Sequence, residues 1–233
     1  MALSDKNIIR HMELGNILID PFNKDNLATS SYDVSLGEFY FREQKAEDEM
    51  RIYNIYSKKH IERVWGTEPY RAKRAKDVLR EYELEGINDD DRVILIGPGE
   101  TILAHTEEFI GGLNIVSTEM KARSSMGRSF IEVCKCAGWG DVGYTNRWTM
   151  EITNNSRHYM IPLVVGRRIA QIIFFEVGPI LKNDYRKGID SKYHTNTDFA
   201  ETKKEWKPQM MHPGLYKDRE VKKQLADLKK SRK

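Results

Sequence analysis

Apolar positions between residues 92 and 177 come in short runs, and turn residues separate many of these runs. In the run 148–153, Trp148, Met150 and Ile152 alternate with polar residues, which is the period of a strand with one buried face. Further strands are expected at residues 93–96, 101–106, 115–120, 160–165 and 168–177. Short strands at this spacing favour a sandwich, jelly roll or barrel-like fold. The sequence therefore predicts a mainly β fold with a few short helices.

The pattern is weaker over the first 91 residues. A helix is expected to begin after Ser4, which is a favourable capping residue. Residues 17–19 and 32–36 have the apolar content of strands, and the second strand is expected to end at Gly37. Residues 68–83 are rich in helix formers, so they predict a helix or an ordered insertion.

The net charge of +3 is distributed unevenly along the chain. Residues 217–233 carry eight Lys and Arg against three Asp and Glu, whereas the rest of the chain carries 30 basic and 32 acidic residues. Because the body has no excess of positive charge, a nucleic-acid partner is not expected. Beyond Pro179 the sequence is polar and charged, which predicts a tail that crosses the surface and ends in a solvated, partly helical segment.

Composition also bears on location and on zinc. No stretch approaches the roughly 18 successive apolar residues of a membrane span, so no membrane partner is expected. Cys134 and Cys136 make no disulfide framework, and a cytoplasmic location is the simplest expectation. The combined signature of zinc nucleobase deaminases, H-x-E followed by P-C-x-x-C, is absent. We therefore expect no zinc, with both cysteines as ordinary strand residues.

Residues 138–143 spell G-x-G-x-x-G, the pattern of a dinucleotide site. That site needs a helix after the glycines, whereas the alternation at 148–153 indicates a strand. The glycines are better explained as a tight β-connection that lets a ligand approach the backbone.

The segment 123–128 follows a predicted strand and contains Arg123, Ser124, Ser125 and Arg128. Guanidinium groups bind phosphate oxygens in a bidentate manner, and hydroxyl and backbone N–H groups complete such a cradle. These residue types indicate a phosphate site, with a polar surface loop as the alternative.

Two carboxylates follow this segment. Asp141 lies on the glycine-rich turn, and Glu151 shares the polar face of its strand with Thr149 and Thr153. One carboxylate of such a pair could position a sugar hydroxyl while the other moves protons. The alternative is that Glu151 is a solvated residue on an exposed β-face.

Together these segments resemble the dCTP deaminase/dUTPase superfamily, and they are most similar to dCTP deaminase and the bifunctional dCTP deaminase/dUTPase type. The resemblance covers roughly residues 1–40 and 92–196, which implies a domain at 1–196 with a variable insertion at 41–91 and a basic C-terminal extension at 197–233. The segments that carry it are residues 3–9, 21–25 and 31–37, the R-S-S-x-[AG]-R loop at 123–128, the block at 137–151, and Tyr185 with residues 191–193.

The resemblance implies a distorted jelly roll that forms a homotrimer, with active sites between subunits and a C-terminal lid. It implies a deoxynucleoside triphosphate substrate and magnesium bound through the triphosphate rather than by protein ligands. Glu151 would be the general acid/base. The substrate-binding residues would be Arg123, Ser125 and Lys192 at the phosphates, Ser124 and Arg128 at the water, Asp141 at the 3′-hydroxyl, and Tyr185, Thr149 and the small Ala137 around the nucleotide.

The sequence departs from the family pattern at a few positions. Cys134, Lys135 and Cys136 occupy a stretch that usually has His or Gln, Gly140 stands where Ile is common, and Asn196 replaces a Gln. The leading hypothesis is zinc-independent deamination of dCTP to dUTP, with diphosphate release to dUMP as an added step that a small Ala137 would permit. The alternatives are a dUTP or dNTP diphosphatase without deamination, and a nucleotide-binding regulatory protein.

Overall fold

The computed structural model describes residues 1–46, 51–79, 82, 84–181, 185, 192–193 and 198–231. The strands are β1 Ile17–Asp20, β2 Leu27–Ala28, β3 Ser31–Arg42, β4 Tyr70–Arg71, β5 Lys73–Arg74, β6 Arg92–Ile96, β7 Thr101–Gly112, β8 Val116–Ala122, β9 Ile131–Glu132, β10 Trp139–Gly140, β11 Thr145–Asn154, β12 Ile161–Val164 and β13 Arg168–Glu176. The α-helices are α1 Asp5–Glu13, α2 Lys58–Trp65, α3 Ala75–Val78, α4 Ser124–Arg128, α5 Phe199–Glu205 and α6 Arg219–Ser231. Single 3₁₀ turns span Lys24–Asn26, Pro208–Met211 and Leu215–Lys217.

A curled antiparallel sheet of ten strands forms the body. Its main order is β10-β8-β13-β3-β7-β11-β9, while β1 pairs with β7 and β2 and β4 pair with β3. The long strand β3 pairs with β13 through Tyr32–Ser35 and with β7 through Leu36–Arg42, so it belongs to both halves of the sheet. A second sheet has the order β12-β6-β5. The predicted mainly β fold with a few short helices is confirmed.

The core fills the inside of the curled sheet. Tyr32, Ile110 and Phe174 are fully buried there. The alternation predicted for β11 is confirmed, because Trp148, Met150 and Ile152 all lie in this core.

The strand expected to end at Gly37 continues to Arg42. Gly37 lies within the strand. Glycine is needed there because a Cβ at this position would come within 2.0 Å of the His105 imidazole ring. Glycine marks a close approach between β3 and β7 rather than a turn.

The expectation of a helix over 68–83 is wrong for most of its described residues. The insertion instead contains α2 at Lys58–Trp65, followed by β4, β5 and the one-turn helix α3 at Ala75–Val78. Strand β4 pairs with β3 and strand β5 pairs with β6, so pairing with distant strands overrides local helix propensity. Residues 80, 81 and 83 lie outside the described residues.

The C-terminal extension does more than cross the surface. Thr202 and Met211 are buried, and Met211 belongs to an apolar cluster with Phe41 and Leu103. The basic segment beyond residue 217 does form a helix, α6. No helix in the described parts of the chain is long and apolar enough to cross a membrane.

Candidate active site

A cavity of about 800 Å³ opens over the strand pair β7–β11. Strand β11 contributes Thr149 and Glu151, while Thr101 and Leu103 come from β7. Glu151 lies directly opposite Leu103 in the antiparallel register, so both side chains project from the same face of the sheet. Six residues predicted for the site line this cavity: Ala137, Asp141, Thr149, Glu151, Tyr185 and Lys192.

The Glu151 carboxylate is a partly buried polar group of the cavity. Its Oε2 atom is buried and has no hydrogen-bond partner among the residues that the structure describes. Burial raises the pKa of Glu151, and the charge of nearby Lys135 opposes this shift only in part. The alternative of a solvated β-face glutamate does not fit this environment. A carboxyl group of this kind is suited to exchanging a proton with a ligand.

Asp141 lies on the turn between β10 and β11 and is exposed. Its Oδ1 accepts a hydrogen bond of 3.2 Å from the indole N–H of Trp139. The carbonyl of the next residue, Val142, accepts a 2.8 Å bond from the Tyr185 amide. The turn therefore presents a carboxylate to the cavity and also anchors Tyr185.

Residues 134–136 form a left-handed turn, so the expectation that both cysteines are strand residues is wrong. The φ angles are 63° at Cys134, 37° at Lys135 and 63° at Cys136. The turn closes with a 2.6 Å bond from the Ala137 amide to the Cys134 carbonyl. Positive φ at three successive non-glycine residues is costly and is typical of functional sites. Its consequence here is that Lys135 and Ala137 face the cavity.

The thiols of this turn differ in environment. Cys134 is buried, its thiol lies 3.6 Å from the Met120 carbonyl, and burial raises its pKa to about 12. Cys136 is exposed. The Cys134 thiol therefore stays protonated and serves to pack the turn onto β8.

The glycines of the G-x-G-x-x-G match allow close packing, and the groups that approach them belong to the protein. A Cβ on Gly138 would lie 2.3 Å from the Met120 carbonyl oxygen. A Cβ on Gly140 would lie 2.3 Å from Thr118 Oγ1 and 2.6 Å from the Trp148 ring. The Thr118 hydroxyl and the Trp148 ring thus fill the space that a side chain at position 140 would occupy.

The described residues of the segment predicted to form a lid line the cavity. The Tyr185 hydroxyl accepts hydrogen bonds from the amides of Lys192 and Tyr193, at 3.1 and 3.3 Å. The Tyr185 ring meets Tyr144 edge to face at 5.4 Å. The Lys192 ammonium forms an ion pair with Asp218, which raises the pKa of Lys192.

The predicted phosphate segment lies outside the cavity. Ser124, Ser125 and Arg128 sit exposed on α4, and none of them lines the cavity. Arg123 is also outside the cavity lining, and its guanidinium Nε lies 3.2 Å from Asp33 Oδ2. The chain therefore brings together the residues predicted for acid/base chemistry, sugar binding and the lid, but not these four.

Part of the cavity wall comes from segments that the sequence patterns did not assign to the site. Tyr53 and Trp65 belong to the insertion, while Met211 and Pro213 belong to the C-terminal extension. The only signal in the sequence is that these apolar residues interrupt polar segments, and that signal does not tell a cavity wall from a small local core.

Comparison with known proteins decides the family. The family model described as dCTP deaminase-like matches residues 2–177. The chain belongs to the dCTP deaminase-like family. A relative from Methanocaldococcus jannaschii named "dCTP deaminase, dUMP-forming" is 30% identical over 193 residues, covering 83% of this chain and 91% of the relative. A relative of the same name from Hydrogenobaculum sp. is 32% identical over 185 residues, covering 77% and 85%. The resemblance indicated by the motifs is confirmed.

Two solved structures are similar to this member of the dCTP deaminase-like family. The dCTP deaminase from Agrobacterium tumefaciens has a TM-score of 0.47 and 20% identity over 78% of this chain, which spans 49% of that chain. The dUTPase of EIAV has a TM-score of 0.33 and 23% identity, covering 39% of this chain and 73% of that one.

Proposed function

We propose that this protein hydrolyses dCTP, releasing ammonia from the base and diphosphate from the phosphate chain to leave dUMP. The observation that carries the proposal is the Glu151 carboxylate at the cavity, whose buried Oε2 atom has no hydrogen-bond partner among the described residues. The relatives named "dCTP deaminase, dUMP-forming" support the same chemistry at about 30% identity.

The deamination uses Glu151 as a proton shuttle. Its carboxylate takes a proton from water as the water oxygen attacks C4 of the cytosine ring. The tetrahedral intermediate collapses when the amino nitrogen receives a proton and leaves as ammonia, so one water and one dCTP give dUTP and ammonia. The raised pKa of Glu151 suits this role, because the same group must both accept and return a proton.

Diphosphate release consumes a second water, which attacks the α-phosphorus of dUTP and displaces diphosphate to give dUMP. Ala137 lines the cavity with a minimal side chain and leaves room for that water near the phosphates. Asp141 binds the 3′-hydroxyl, and Thr149 and Tyr185 contact the nucleotide. Lys192 binds the phosphate chain once its ammonium leaves Asp218.

The site is completed by a second copy of the chain in a homotrimer. Support comes from the position of Arg123, Ser124, Ser125 and Arg128, which lie outside the cavity of their own subunit although their side chains suit phosphate and water binding. In this arrangement Arg123 and Ser125 reach the phosphates of a neighbouring site, and Ser124 and Arg128 hold the attacking water there.

Magnesium fits this site as a companion of the triphosphate. No group of three or more His, Cys, Asp and Glu side chains converges as a metal site in the described part of the chain. Mg²⁺ readily takes phosphate oxygens and water as its ligands, so the triphosphate itself would hold it. Bound in this way, magnesium would neutralise charge on the phosphate chain.

The test is a product assay with dCTP, dUTP and dCMP as separate substrates. Ammonia, diphosphate and dUMP from dCTP are expected, with activity that falls when magnesium is removed and survives a zinc-selective chelator. Diphosphate from dUTP without ammonia from dCTP would favour the diphosphatase alternative. Binding without any product would favour a regulatory protein.

A further inference from the structure

The face of the sheet that carries Glu151 is crossed by a row of paired residues. Phe41 on β3 lies opposite Leu103 on β7, and Leu103 lies opposite Glu151 on β11. Directly opposed residues share a face, so Leu103 is the neighbour of Glu151 and Phe41 follows one strand further along the same row. Whatever covers Phe41 and Leu103 therefore stands beside Glu151.

Two distant segments cover this row. Met211, on the 3₁₀ turn Pro208–Met211 of the C-terminal extension, is only 4% exposed and forms one cluster with Phe41 and Leu103. Trp65, the last residue of α2 in the insertion, packs against the same cluster. Both Met211 and Trp65 line the cavity that contains Glu151.

The extension is held in this position by contacts outside the cavity. The Trp206 ring packs against the His105 imidazole at a centroid distance of 4.7 Å and a tilt of 54°, and it lies 4.7 Å from the Arg147 guanidinium. The Gln209 side chain donates a 3.2 Å hydrogen bond to the Thr67 carbonyl in the insertion. These contacts join extension, sheet and insertion, so the wall formed by Met211 and Trp65 is a fixed part of the fold.

We propose that Met211 and Trp65 are specificity-determining residues that contact the pyrimidine ring of the substrate. The inference rests on the proposed function, which places the reacting C4 atom at Glu151. Met211 belongs to the cluster that contains Leu103, the strand partner of Glu151, and Trp65 packs against that cluster, which places both residues at the base end of the cavity. Their apolar surfaces suit the ring faces and carbon edge of a base and offer nothing to a phosphate.

The test measures binding by calorimetry in the full-length Glu151→Gln background, in which deamination is expected to be slowed at least about 100-fold. The probes are dCTP and inorganic tripolyphosphate, which lacks the base. Met211→Ala and Trp65→Leu are expected to weaken dCTP binding at least about tenfold while leaving tripolyphosphate binding unchanged. Met210→Ala is the matched control, because Met210 is the neighbouring methionine and does not line the cavity. Met211→Leu, which conserves volume, is expected to restore most of the affinity.

Trp65→Leu lies on a separate element and tests the same wall if Met211→Ala does not fold. The proposal is overturned if both variants bind dCTP like the parent, or if tripolyphosphate binding falls as much as dCTP binding. Turnover by the parent is scored separately. If the parent binds dCTP without turnover and the variants bind it more weakly, the proposed enzyme is overturned and the role of Met211 and Trp65 is kept. If the parent is active and both variants bind dCTP normally, only the role of Met211 and Trp65 is overturned.

Discussion

The Trp148 ring occupies the space beside Gly140 in which any larger residue would place its Cβ, at 2.6 Å from the ring carbons. Trp148 is buried in the core, and its indole N–H donates a 2.9 Å hydrogen bond to the Ile110 carbonyl, so the ring is held on both sides. The space next to position 140 is therefore occupied by the Trp148 side chain of β11 and not by a side chain of residue 140.

Gly140→Ala is therefore expected to destabilise the protein by about 1–3 kcal/mol, the usual cost of overpacking. Gly178→Ala is the matched control, because a Cβ at Gly178 meets nothing within 4 Å. Thermal unfolding of the two variants measures the difference. Equal melting temperatures would show that Trp148 and Thr118 move aside at no cost.

Asp141→Asn is expected to raise KM for dCTP as well as slow turnover, because a neutral amide binds a hydroxyl less strongly than a carboxylate does. The probe that isolates the contact is 2′,3′-dideoxy-CTP, which lacks the 3′-hydroxyl. The parent should bind this analogue more weakly than dCTP, and the variant should lose little further affinity. If Asp141→Asn loses the same affinity for dCTP as for the dideoxy analogue, Asp141 does not bind the 3′-hydroxyl.

A shared site predicts that two inactive variants complement each other. Glu151→Gln and Arg128→Ala should each be inactive alone, whereas a refolded mixture should regain activity at sites that combine an intact Glu151 with an intact Arg128 from another copy. Light scattering on the parent should give a trimer of the 27.2 kDa chain. If a mixture that is proven to exchange subunits regains no activity, Glu151 and Arg128 act in a site formed by one chain.

The alternation along β11 was enough to predict both its buried face and the position of Glu151. The wall made by Trp65 and Met211 could not be predicted. It depends on which distant segments pack on Phe41 and Leu103, and local sequence patterns do not determine such long-range packing. The left-handed turn at Cys134–Cys136 was missed for a related reason. Its φ angles oppose the preferences of its residues and are imposed by packing against β8.

Glycine was the residue whose significance the sequence left most ambiguous. Gly37 suggested the end of a strand, yet it lies within β3 and admits the His105 ring. The polar composition of the extension likewise concealed Met211 and Trp206, whose contacts with the sheet are set by the tertiary fold.

The pH dependence of deamination should follow the raised pKa of Glu151. Burial disfavours the carboxylate, so the active form is lost as pH falls through a value above the ordinary glutamate pKa of about 4.3. In the pH profile of kcat/KM, the midpoint of the acidic limb should therefore lie at a pH above the ordinary glutamate pKa. Lys135→Gln removes a charge that lowers the pKa of Glu151, so it should move the limb still higher.

Stability provides an independent check on the same group. Because the folded state binds the Glu151 proton more tightly than the unfolded chain does, the contribution of Glu151 to the free energy of unfolding falls as pH rises through the raised pKa. The parent should thus lose stability relative to Glu151→Gln over that range. An acidic limb at the ordinary glutamate pKa, with no such loss, would contradict the buried carboxylate.

The most direct test of the proposed chemistry is the rate at which Glu151→Gln releases ammonia from dCTP. The substitution keeps the size of the side chain but removes its ability to accept a proton from water. General acid–base catalysis contributes typically about 10²–10⁴-fold, so deamination should fall by at least that order while dCTP still binds. Release of ammonia at the parent rate by a correctly folded Glu151→Gln variant would show that Glu151 does not carry out the proton transfer.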